Sequence, residues 1–169
     1  MAELWDIYDR DRNKTGRYAE RGVYKFKEGE YHLAVSAIIL NSKNEILISK
    51  RSASKALPLK WEICGGAVRK DEDSLHGVIR EVKEELGIEF TESDPIYFKT
   101  VARETRSNIK DMWLFRKDVD ASKLTLPDGE ACDAKWVNID EFCKICDDGE
   151  MVEWIDFDRS DYSTAIEKN

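Results

Sequence analysis

The chain has 169 residues, a length that suits one domain and allows a sizeable core. It carries 35 acidic and 27 basic side chains, for a net charge of −8, which argues against a protein that coats nucleic acid. Five Trp, six Tyr and six Phe argue against disorder, and the acidic balance still leaves small phosphorylated ligands open, because a divalent cation reverses the local sign.

The opening stretch MAELWDIYDRDRNKTG is charged from its third residue and does not read as a secretory signal. The longest apolar run, Leu33 to Leu40, has the length of a strand, far short of the ~20 residues that span a bilayer. A soluble, cytoplasmic protein without membrane contact is therefore expected. Of the four cysteines, Cys64, Cys132, Cys143 and Cys146, the last two form a lone C-x-x-C. With only His32 and His76 in the chain, that pair reads as helical cysteines rather than a zinc site.

In chain order, Leu4 to Asp9 and Arg17 to Tyr24 read as a leading hairpin around the turn Asn13-Lys14-Thr15-Gly16. Residues 1–30 are thus expected to form an arm packed on a domain spanning 31–169. Tyr31 to Leu40 is a continuous β-rich run, expected to be buried on both faces. Strands follow at Glu45 to Lys50, Trp61 to Cys64, Ile96 to Arg106, Met112 to Arg116 and Ala134 to Val137. Helices are expected at Leu75 to Leu86, Asp140 to Cys146 and, finally, Val152 to Phe157. This irregular alternation predicts an α/β fold with a mixed β-sheet and helices on its faces.

One helix carries an unusual charge pattern. Asp73 is a plausible N-cap, Gly87 a C-terminal stop, and Leu75, Val78, Ile79, Val82 and Leu86 form one apolar stripe. Glu81, Glu84 and Glu85 share the other side, near the helix's negative end. Like charges four apart cost a few tenths of a kcal/mol. A hard divalent cation with oxygen ligands would relieve that repulsion.

Around these glutamates, Gly66, Glu72 and Arg80-Glu81-Val82-Lys83-Glu84-Glu85-Leu86-Gly87-Ile88 match G-x5-E-x7-R-E-U-x-E-E-x-G-U, where U is a bulky aliphatic. Seven fixed residues match by chance roughly once in 10⁸ placements. On this motif the chain resembles the Nudix hydrolase superfamily. The resemblance implies an α/β/α sandwich and hydrolysis of a diphosphate joined to a group X. It implies that Glu81, Glu84, Glu85 and the Gly66 backbone hold Mg²⁺ (Mn²⁺ substituting), and that Glu72 and Arg80 pin the loop to the helix. The base is a box glutamate or an outside acid, for which Glu104 and Asp111 are candidates. Lys50 and Arg51 are candidates to meet the phosphates, and Trp61, Trp113 and Phe115 to recognise the rest of the substrate.

LWDIYDRDRNKTGR, EGEYHLAVSAIILNSKNEILISKRS and PLKWEICGGAV are also similar to the Nudix clade of isopentenyl diphosphate isomerases. That makes an isomerase the rival reading, and a non-catalytic nucleotide-binding module a third. His32 sits where an isomerase metal histidine is expected. Cys64, however, falls one position early, with Gly65 in its slot, and Ala67 stands where a second histidine is expected. The expected partner is a small-molecule diphosphate, not a nucleic-acid polymer or a membrane, with a homodimer left open.

Overall fold

The structure is a computed structural model and describes residues 2–168. The elements are β1 (Leu4–Tyr8), β2 (Lys14–Glu20), β3 (His32–Leu40), β4 (Ile46–Arg51), β5 (Trp61–Glu62), β6 (Gly65–Ala67), α1 (Ser74–Leu86), β7 (Ile96–Arg103), β8 (Asn108–Arg116), β9 (Ala131–Val137), α2 (Ile139–Asp147) and α3 (Arg159–Glu167). Among the described residues no helix is long and apolar enough to cross a membrane.

Strand β3 organises the fold. Leu33, Val35, Ala37 and Ile39 enter one core, and Ile38 and Leu40 the other, so its apolar run is buried on both faces. It runs parallel to β8 from His32↔Asn108 to Leu40↔Arg116, and β7 pairs antiparallel with β8. The start of β3 pairs antiparallel with β6, and its end meets β4 at Leu40↔Ile46. β4 in turn pairs antiparallel with β5 and β9. Helix α1 covers one face through Val78, Val82 and Leu86; α2 and α3 cover the other through Phe142, Ile145 and Ala165. The result is the α/β/α sandwich with a mixed sheet. Each fully buried aliphatic side chain contributes about 1.5–3 kcal/mol to holding these layers.

Several segments differ from expectation, each for a local reason. The hairpin turn falls at Asp9–Asn13, because the Asp9 carboxylate accepts from the Asp11 and Asn13 N–H groups; Lys14, Thr15 and Gly16 lie in β2 instead. Gly65–Ala67 forms a strand of its own, and β8 starts four residues before the expected Met112. Its extra turn-facing residues, Asn108 and Lys110, are polar yet buried, which hid them from a search for apolar runs. Val152 to Phe157 is not a helix. The chain pairs briefly with Trp61 of β5, with Val152 N–H donating to the Trp61 carbonyl at 2.9 Å, then turns at Glu153–Trp154 and runs on without regular structure. The last helix begins instead at Arg159, behind a capping box in which the Asp158 and Asp161 carboxylates each accept from the other's backbone N–H.

The hairpin is tied to the sheet at three places. Tyr8 and Tyr31 exchange backbone hydrogen bonds of 2.8 and 2.9 Å, Arg12 grips the buried Asp111, and Trp5 stacks on His32 with ring centroids 4.5 Å apart. Phe26 covers His32 from a further side at 5.5 Å. Burial among these rings lowers the His32 pKa to about 4. The unfolded chain then binds the proton more readily, so this group's stabilising contribution is present above pH 6.5 and is lost as pH falls through 4. We expect unfolding free energy to drop between pH 7 and pH 4, by up to roughly 3 kcal/mol from this residue. His32→Phe should flatten that slope in urea titrations; an unchanged slope would refute the assignment to His32.

Candidate active site

The loop before α1 and the helix itself are joined through one guanidinium. Arg80 Nε donates to Glu72 Oε1 at 2.7 Å, and its Nη2 to Glu72 Oε2 at 2.8 Å and to the Ala67 carbonyl at 3.0 Å. Its Nη1 donates to Glu81 Oε1 at 2.7 Å and Glu84 Oε2 at 3.0 Å. Helix α1 starts where Asp73 accepts from His76 N–H at 2.8 Å and stops at Gly87, whose φ of 67° suits glycine.

Both glycines of the loop are required by close approach. A Cβ at Gly65 would collide with the Val35 carbonyl oxygen, and one at Gly66 with the Glu81 carboxylate. The box glutamates therefore do not all face solvent, as a simple amphipathic helix implies. Glu84 is half exposed, but Glu81 is largely buried over Gly66, and Glu85 is 9% exposed. Glu85 accepts from Gly65 N–H at 3.3 Å and lies 3.5 Å from Lys55 Nζ. Burial, then the charges of Glu62 and Glu81, push its pKa to about 7, against the pull of Lys55. Burial likewise raises Glu81, with Arg80 opposing.

The three glutamates share one face but are held by different cations: Glu81 by Arg80, Glu84 by Arg80 and Arg69, and Glu85 by Lys55. Among the described residues no three acidic or histidine or cysteine side chains converge as a ready cluster for a metal. The donor set nonetheless fits a hard divalent ion. It is all oxygen, it is brought against a glycine backbone with no side chain in between, and two of its members resist ionisation without an added positive charge.

The other candidates separate. Asp111 is fully buried, bound bidentately by Arg12 and accepting from Thr100 Oγ1 at 2.6 Å, so it is not a free base. Glu104 accepts from the Tyr31 hydroxyl at 2.6 Å and pairs with Arg10, without contact to α1. Arg51 is not a free phosphate ligand at a strand end. It is buried and donates to Glu62 at 2.6 Å and to the Ala56 carbonyl at 2.8 Å. Lys50 lies over the Trp61 ring. Phe115 is core, and Trp113 donates to Ser74 Oγ at the head of α1. Residues that sequence reasoning missed are Lys55, Glu62 and Trp154. An acid inside the apolar stretch Trp61–Cys64 was the one visible signal for Glu62.

On the far side of β6 lies a cavity of about 180 Å³, lined by Gly65–Ala67, Glu62, Asn108, Lys110, Arg103 and Trp154 among others. Glu62 lines this cavity and also acts on the charge of Glu85, so the cavity and the glutamates adjoin. Cys64 is absent from its walls. It belongs to the core beneath α1, where burial, reinforced by Glu85, pushes its thiol pKa up.

Comparison with known proteins agrees with this geometry. The NUDIX domain family matches residues 30–156. The chain is 34% identical over 154 residues to an uncharacterized Nudix hydrolase of Listeria monocytogenes, covering 90% of this chain and 89% of that one. It is 38% identical over 81 residues to an isopentenyl-diphosphate delta-isomerase of Photorhabdus laumondii, covering 46% of each. A Deinococcus radiodurans crystal structure superposes with a TM-score of 0.76 at 21% identity, covering 89% of this chain and 92% of that one. A MutT protein of Methanosarcina mazei does so with a TM-score of 0.59 at 26% identity, over 82% and 95%.

Glu85 and Arg80 should respond to mutation in opposite directions. Because the folded state raises the Glu85 pKa from 4.5 to about 7, its stabilising contribution is full below pH 4.5 and is lost as pH rises through 7. In chelator-treated protein, Glu85→Gln should raise the unfolding free energy at pH 8, by up to roughly 3 kcal/mol, and change it little at pH 4. Arg80→Ala strands buried Glu72 and Glu81 and should lower stability by about 3–5 kcal/mol. A Glu85→Gln protein that melts earlier than the native chain at pH 8 would show that this carboxylate is structural.

Proposed function

The chain belongs to the Nudix hydrolase family, and from that premise we propose that it is a divalent-metal-dependent hydrolase of a nucleoside diphosphate linked to a group X. The observation that carries this reading is the seating of Glu81 directly over Gly66, with Glu84 and Glu85 on the same face of α1. Glu81, Glu84, Glu85 and the Gly66 backbone would hold Mg²⁺, or Mn²⁺ in its place. The ion, when bound, neutralises charge on the diphosphate oxygens as the bridging bond breaks.

The remaining chemistry is the chain's own. Arg80 holds Glu72, Glu81, Glu84 and the Ala67 carbonyl in one frame, so the loop and helix meet the substrate as a unit. Lys55 stands beside Glu85 and limits its repulsion from Glu62 and Glu81. With Asp111 and Glu104 engaged elsewhere, the carboxylate that takes a proton from the attacking water is one of the box glutamates.

Two observations favour hydrolysis over the isomerase chemistry of the shorter matches. The isomerase reading needs its cysteine on the substrate cavity, yet Cys64 lies in the core beneath α1 and is absent from the walls of the cavity beyond β6. His32 is also packed between Trp5 and Phe26, and Ala67 stands where a second metal histidine is expected.

A panel of nucleoside diphosphate compounds should release product with Mg²⁺ or Mn²⁺ and not after EDTA treatment. Glu84→Gln should cut kcat by about 10²–10⁴. Cys64→Ala should stay within about tenfold of the native rate. Isopentenyl diphosphate in deuterated water should yield no deuterated allylic product. Deuterium uptake without hydrolysis of any diphosphate would overturn the hydrolase reading.

A further inference from the structure

The cavity beyond β6 is partly open, and the polar groups around it are only partly satisfied. Lys110 is 6% exposed and donates to the Trp154 carbonyl at 2.7 Å, with Asp156 at 2.8 Å. Arg103 reaches the same Asp156 at 3.2 Å. Two cations thus face the Asp156 carboxylate, while Glu62 on the same wall is already matched by Arg51. Arg103 Nη1 is buried without a hydrogen-bond partner, and so is Oδ1 of Asn108, a residue nine-tenths buried. A buried donor or acceptor left unpaired costs about 1–3 kcal/mol, so each of these cavity-lining side chains gains by turning to a guest that pairs it.

We propose that this cavity receives the group X of the substrate, and that X is a small sugar or polyol carrying an anionic group of its own. The inference rests on the hydrolase reading above and names the substrate class for that same site. Gly65 and Gly66 are shared by the two regions: their backbone lines the cavity, and Glu81 sits over Gly66. A diphosphate held at the glutamates therefore places one end group here. The anionic group of X pairs with the Arg103 guanidinium and balances the second cation, while a hydroxyl of X pairs with the Asn108 side chain.

Size and chemistry exclude the other guests. At about 180 Å³ the cavity falls below the roughly 300–1,000 Å³ that enclose a drug-sized ligand, so it takes a fragment of the substrate. The two rings on its wall are already engaged. The guanidiniums of Arg51 and Arg106 lie over Trp154 at 5.2 and 4.6 Å, and Trp5 and Phe26 pack on His32. A nucleobase finds no free ring to stack on. An isoprenoid chain would leave Arg103 and Asn108 unpaired and bury charge against hydrocarbon.

The test uses the intact chain in two assays. In titration calorimetry with EDTA present, ribose 5-phosphate should bind at least tenfold more tightly than ribose. Arg103→Gln should remove that difference, and Arg103→Lys, which keeps the charge and guards against a folding defect, should retain part of it. In turnover with Mg²⁺, UDP-glucuronate should be favoured over UDP-glucose in kcat/KM by tenfold or more, and Arg103→Gln should bring the ratio near one. Equal affinity for ribose and its phosphate, or binding unchanged in Arg103→Gln, overturns the proposal. So does hydrolysis of both UDP-sugars without preference, which leaves the hydrolase reading standing. If ribose 5-phosphate binds through Arg103 but no diphosphate of any kind is hydrolysed, the hydrolase reading falls, and with it the assignment of the guest as X.

Discussion

The five hydrogen bonds of Arg80 decide the shape of the site. A loop that leaves β6, runs through Glu72 and returns as α1 has no apolar residues of its own beyond Val68 to fix it. The guanidinium supplies what packing does not: two bonds to Glu72 at the loop's far end, one to the Ala67 carbonyl at its near end, and two to the helix glutamates. A planar fork of fixed donors can hold three groups in a definite relation, which a lysine ammonium cannot. Because the same side chain serves loop and glutamates, the placement of the carboxylates depends on the closure of the loop.

The glutamates illustrate a conflict between stability and function. Glu85 sits where an apolar residue would pack well, between Cys64, the Gly65 N–H and Glu62, and the fold raises its pKa to about 7 to keep it there. Lys55, Arg80 and Arg69 each compensate part of the negative charge, yet none removes the repulsion among Glu62, Glu81 and Glu85. That these acids are retained against the chain's own stability supports the proposed cation site.

The sheet separates two chemistries by the alternation of β3 and β8. One face is the core beneath α1, with Cys64 inside it. The other carries Asn108 and Lys110 toward a cavity lined by Trp154 and Asp156. At β6 the two faces meet, because glycines leave the strand without side chains to divide them. The hairpin adds a third layer at the same end, where Trp5 and Phe26 seal His32 and Arg12 neutralises Asp111.

What the sequence by itself determined is what rests on short-range periodicity. The limits of α1, its Asp73 cap, its Gly87 stop and the spacing of Gly66, Glu72, Arg80, Glu81, Glu84 and Glu85 all follow from residues within one or two helical turns or one loop of each other. The continuous run of β3 likewise announced a strand buried on both faces. Only the tertiary structure decided which charged side chains are free. Asp111 meets Arg12 across 99 positions, Arg51 turns back onto Glu62, and Lys110 finds Asp156, so charges that look free in the sequence end paired and buried. It also decided that Val152 to Phe157 is an irregular segment whose Trp154, Ile155 and Asp156 line the cavity, rather than a helix. Those six residues are fixed by pairing with Trp61 and by Asp156 reaching Lys110, contacts made far along the chain, which no local pattern encodes.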